Sequence, residues 1–69
     1  MEFHWVSGFT LDVRTDGKST VISGNRAGLL SLANHLLTLA DEIPGHDFHL
    51  DEYNSLEDGS SELVFCKLP

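Results

Sequence analysis

From Phe3 to Val13 apolar and polar positions alternate: Phe3, Trp5, Ser7, Phe9, Leu11 and Val13 take the odd places, while His4, Gly8, Thr10 and Asp12 fall on even ones. A period of two lets one set of side chains be buried while the other faces water, so a long β-strand is expected here. Asp16-Gly17 follows, a dipeptide suited to the positive φ angles of a type I′ turn. A two-residue loop at that place sets Val13 opposite Thr20 and Leu11 opposite Ile22, which puts Leu11 and Ile22 on one face.

The period then changes. In "SGNRAGLLSLANHLLTLADEIPG" the residues Leu29, Leu32, Ala33, Leu36, Leu39 and Ala40 recur at helical spacing, and Leu30 and Leu37 widen the stripe. Asn25 is a favourable N-cap and Pro44-Gly45 a stop, so a helix of about 17 residues is expected. Gly28, in its first turn, reads as a point of close approach to the sheet.

Beyond the helix "HDFHL" alternates again, with Phe48 and Leu50 on one face and Asp47, His49 and Asp51 on the other. "EYNSLEDGSS" is a polar loop, and "ELVFCKL" closes the chain with apolar residues on both faces, Leu63 and Phe65 against Val64, Cys66 and Leu68. A strand of that kind is central in its sheet or covered by a partner chain. The expected fold is therefore α+β, in the order β-β-α-β-β, with one helix packed on a four-stranded, mostly antiparallel sheet. Residues 1–69 make a single domain in this reading.

Composition narrows the class. Apolar residues make up 41% of the chain, too many for intrinsic disorder. Cys66 is the lone cysteine, which excludes an internal disulfide and a paired-cysteine zinc site and suits a reducing, cytoplasmic setting. "MEFHWVSGFT" has neither the cationic start nor the apolar run of a signal peptide, and the longest apolar stretch is too short to span a bilayer.

Charge changes the picture more. Residues 1 to 40 balance Glu2, Asp12 and Asp16 against Arg14, Lys18 and Arg26. Residues 41 to 69 set Asp41, Glu42, Asp47, Asp51, Glu52, Glu57, Asp58 and Glu62 against Lys67 alone, so they hold the whole formal net charge of −7. Such a lobe repels phosphate backbones and anionic membranes and favours basic partners. The plainer role for the same acids is solubility.

The candidate chemistry is thin. His49 and Asp51 share a strand face, but His46 points the other way and the next histidines, His4 and His35, lie far along the chain, so no metal site is assigned. No Gly-x-Ser-x-Gly elbow is present, and one helix on a small sheet offers little concavity, so neither catalysis nor a cofactor is expected. Cys66 reads as a small hydrophobe, Gly-Asn-Arg-Ala-Gly as a poor phosphate loop, and Arg26 as one half of a salt bridge to a later acid.

Two blocks, "SGNRAGLLSLANHLLTLA" and "HLDEYNSLEDGSSELV", resemble a small immunity-protein family of bacterial polymorphic-toxin systems, over about residues 20 to 66. "HLDE" and "GSSEL", in that order after such a helix, carry the resemblance; the first strand is unmatched. What the resemblance implies is an antidote that binds and blocks a toxin, with no catalytic or ligand residue to carry over. The expected partner-binding residues are Asp47, His49, Asp51, Glu52, Tyr53, Glu57 and Asp58, the acids steering a basic toxin and Tyr53 serving as the desolvated anchor. Val64, Cys66 and Leu68, with Val6 and Val21 on the outer face of the hairpin, exceed what one helix can cover. A homodimer through the last strand or a sheet edge follows from that excess. The alternative reading is a small metal-binding or orphan homodimeric structural domain without a toxin partner.

Overall fold

The computed structural model describes residues 2–69. Its elements are β1 (Leu11–Asp16), β2 (Ser19–Gly24), α1 (Arg26–Ala40), β3 (Asp47–Leu50) and β4 (Leu63–Cys66). The α+β class and the order β-β-α-β-β agree with the sequence pattern. The four-stranded sheet does not form: β1 pairs with β2 and β3 with β4, giving two separate antiparallel sheets of two strands each.

The outer edge of β1 explains the division. The Leu11 carbonyl accepts from the Glu57 N–H at 2.9 Å, the Val13 carbonyl accepts from the Ser61 N–H at 2.8 Å, and the Val13 N–H donates to Ser60 Oγ at 3.2 Å. The edge is therefore satisfied by a loop rather than by a strand, which leaves no ladder on β1 for β3 or β4 to join. For the same reason β4 is not central. Its residues Val64 and Cys66 face away from Leu63 and Phe65, as the alternation indicated, and are exposed, so Cys66, read as a small hydrophobe, is a surface thiol, while Leu63 and Phe65 pack against the core.

The first hairpin is shifted by two residues from the expected register, so that Val13 faces Ile22 and Leu11 faces Gly24. Its turn is Gly17-Lys18, with φ +60° at Gly17 and no positive φ at any non-glycine among the described residues. That is the type II′ requirement, a glycine at the first central position only, and Asp16 remains in the strand. A shift of two keeps every side chain on its face. Leu11 and Val13 are accordingly both buried.

The long first strand is also shorter than expected, beginning at Leu11 rather than Phe3. Residues 2–10 run instead along the helix. The Val6 N–H donates to Ser31 Oγ at 2.8 Å, Asn34 Nδ2 donates to the His4 carbonyl at 3.2 Å, and the Thr10 N–H donates to Asn25 Oδ1 at 3.0 Å. Backbone groups paired in this way have no need of a ladder, and a turn at Gly8, φ +80°, breaks the extended run.

Helix α1 is 15 residues long and is capped by Asn25, whose Oδ1 also accepts from the Gly28 N–H at 2.7 Å. At the other end Lys67 Nζ donates to the Ala40 carbonyl. The buried stripe is Gly28, Ser31, Leu32, His35 and Leu39, rotated from the leucine stripe that periodicity favours. Gly28 sets the rotation. A Cβ there would lie 2.1 Å from the Thr10 carbonyl oxygen, so only a glycine can face the chain at that point, and the helix must turn to present it. Leu29, Leu30, Ala33, Leu36, Leu37 and Ala40 are left exposed. The core joins Leu32 and Leu39 to Leu11, Val13, Phe48, Leu50 and Leu56 from the two sheets and the acidic loop.

Candidate functional site

The loop between β3 and β4 begins with Asp51. Its Oδ1 accepts from the N–H groups of Tyr53 and Asn54, at 2.9 and 3.0 Å, and its carbonyl accepts from Asn54, Ser55 and Leu56. An aspartate that bonds the backbone two and three residues on makes a tight turn without help from helix or sheet. Asn54 completes it, receiving the Asp51 N–H at 3.0 Å and donating to the His49 carbonyl at 3.1 Å. Leu56, buried in the core, pins the middle of the loop.

Two further contacts hold the tip. Glu52 Oε2 accepts from the Gly59 N–H at 2.8 Å. Arg14 donates through Nη1 to the Gly59 carbonyl at 2.7 Å and through Nη2 to the Asp58 carbonyl at 3.2 Å, while pairing with Asp12 at 2.7 Å. Gly59 has φ +81°, a backbone angle that favours glycine, and a Cβ on it would sit 2.9 Å from Arg14 Nη1, to which the flexible guanidinium would have to yield. The salt bridge to a later acid that was expected of Arg26 does not form, since Arg26 enters no ion pair among the described residues; it is Arg14 that reaches this loop, through main-chain carbonyls.

The seven candidate partner-binding residues separate into three groups. Asp51 and Glu52 are half-buried and spend a carboxylate oxygen on loop backbone. Asp47, Glu57 and Asp58 are exposed, as is His49, whose Nε2 lies 3.7 Å from Asp47 Oδ2 and whose Nδ1 lies 3.8 Å from Glu62 Oε2. Tyr53 is 90% exposed, although its backbone is fixed. Sequence reasoning missed Glu62, which joins Asp47 and His49 on the outward face of the second sheet, and Arg14. Alternation along the first strand was the signal that put Arg14 outward, opposite Leu11 and Val13.

No three His, Cys, Asp or Glu side chains converge as a metal-binding group among the described residues, and those residues form no cavity. Among the described residues no helix is long and apolar enough to cross a membrane. The other titratable group of note is internal. His35 is fully buried against the rings of Phe3 at 4.5 Å, Trp5 at 4.2 Å and Phe48 at 5.8 Å, and neither ring nitrogen has a hydrogen-bond partner among the described residues. Burial lowers its pKa from the ordinary histidine value, and His4 adds to the shift.

A family model described as Immunity protein 32 matches residues 19–68, from the first residue of β2 to beyond β4. The chain belongs to that family of toxin-system immunity proteins. The Immunity protein 32 match covers α1, the whole acidic loop and both strands beside it, and leaves the N-terminal segment and β1 outside. No curated protein and no solved structure gives a match.

Proposed function

We propose that this Immunity protein 32 member binds and neutralises a cognate bacterial toxin in the cytoplasm, and that it does so through the acidic surface formed by the loop after β3 and the outward face of the second sheet. The observation that carries the reading is the combination in this loop of a fixed backbone with an exposed apolar ring: Tyr53 stands out among carboxylates on a turn held by Asp51 and Leu56. A side chain presented on a fixed backbone loses little further entropy on binding, which is what an interface anchor needs.

Asp47, Glu57, Asp58 and Glu62 supply the field around it, and His49 lies among them. Such a field speeds encounter with a basic partner and repels nucleic acid and anionic membrane. A toxin that acts on nucleic acid needs positive potential around its cleft, and an acidic, convex lobe is the shape and sign to block it. The function asks for no catalytic group, cofactor or metal in this chain.

The test is to read the open reading frames beside this gene for a toxin, co-express that toxin with this chain, and purify. A stable complex and restored growth are expected. Continued killing, with no complex recovered from cells that make both soluble proteins, would remove the proposal.

A further inference from the structure

The outer face of α1 is an exposed apolar surface that the toxin reading leaves unused. Arg26, Leu30, Ala33, Leu37 and Ala40 follow one another at spacings of four, three, four and three, and all are exposed. This is the seam of a two-helix pair, and it lies directly opposite the buried stripe of Gly28, Ser31, Leu32, His35 and Leu39. Leu29 and Leu36 flank it, with Leu29 50% and Leu37 68% exposed. The helix carries no acidic residue, so the charge that makes the rest of the chain self-repelling is missing from this face.

The end charges identify the occupant. Arg26 occupies the first helical position, where the helix dipole favours an acid, and no acidic residue stands in that first turn. Asp41 is the C-cap, and the helix has no basic residue in its own last turn. Neither side chain enters an ion pair among the described residues, and at about 22 Å apart along the axis they cannot meet each other. A second copy laid antiparallel brings Arg26 of each chain to Asp41 of the other, and the same two-fold sets Leu30 opposite Leu37 across the small side chain of Ala33. A parallel pair would instead stack like charges at both ends.

We infer that the outer face of α1 is a homodimer interface, in which two copies pack helix against helix, antiparallel, about a two-fold axis beside Ala33. This interface differs from the last-strand dimer that the sequence suggested, and it does not depend on the toxin. One helix pair buries less than the roughly 800 Å² per partner of a standard interface, so the dimer is weak, with a dissociation constant on the order of 10–100 µM.

Sedimentation velocity on the full chain, from about 1 µM to several hundred µM, is the experiment. The parent should pass from monomer to dimer across that range, and Leu37→Asp should raise the dissociation constant at least about tenfold while melting like the parent. Arg26→Asp and Asp41→Arg should each weaken association several-fold, and the double variant should recover it. Both charge changes give the helix ends the sign their dipole prefers, and because Lys67 Nζ already meets the Ala40 carbonyl beside residue 41, melting curves of each variant separate loss of the dimer from loss of the helix end. A parent that stays monomeric at the highest concentration overturns the inference. So does a dimer that survives Leu37→Asp, or a double variant no better than the two single ones.

Discussion

The acidic loop and the outer face of α1 are both open to solvent, yet they are built in opposite ways. The loop is rich in charge, and its backbone is tied down by side chains: Asp51, Glu52, Asn54 and Arg14 all bond main-chain groups, and Leu56 locks it to the core. The helix face needs no such ties, because its backbone bonds are internal, and it offers leucines with a single cation, Arg26. The first surface suits a partner found by charge, with binding that weakens in salt. The second suits association driven mainly by apolar area, with Arg26 and Asp41 at the helix ends setting the orientation.

Gly28→Ala should break both surfaces together. Its methyl group would overlap the Thr10 carbonyl oxygen, so α1 must lift from the chain, at about 3 kcal/mol or more, and a large drop in melting temperature is the expected reading. Leu56→Ala should separate them. Loss of a buried leucine costs about 2–3 kcal/mol and frees the loop from the core, so toxin binding should fall in the folded fraction while helix-mediated dimerisation persists.

How much of this was legible in the sequence depends on what decided each feature. Asn25 announced the helix start and Gly28 the close approach, because capping and steric need are local and residue-specific. The rotation of α1 was not legible. Periodicity ranked leucines above Ser31 and His35, and it is the course of residues 2–10, which brings the Thr10 carbonyl onto Gly28, Phe3 and Trp5 against His35 and the Val6 N–H onto Ser31, that makes those two the inward residues. The division of the sheet was hidden for a similar reason. "EDGSS" reads as a polar loop and is one, yet its Glu57 and Ser61 N–H groups take the carbonyls of β1 that a third strand would have used.

Acid should act on the helix side of the comparison first. The pKa of His35 is lowered in the folded chain, so the unfolded chain binds the extra proton more readily; stability is complete above the ordinary histidine pKa near 6.5 and is lost as pH falls through the lower folded value. Melting curves taken between about pH 7.5 and pH 5 should therefore fall on the acid side, and His35→Phe should flatten that decline. An equal decline in the variant would assign the acid sensitivity to other groups.

Tyr53→Ala carries the smallest effect on folding. At 90% exposure the ring supports little of the structure, so stability should change by about 0.5 kcal/mol or less, while toxin affinity should fall by about 2 kcal/mol. A variant that melts early but binds as before would move the anchor away from Tyr53, to the exposed face of Asp47, His49 and Glu62.

The central claim is that the acidic surface steers this Immunity protein 32 member to a basic toxin, and its most direct measure is the association rate constant with the cognate toxin as ionic strength rises. Between about 10 and 150 mM salt the rate should fall roughly tenfold or more, since exposed charges lose their reach as the screening length shortens. A rate that stays constant over that range would contradict the claim.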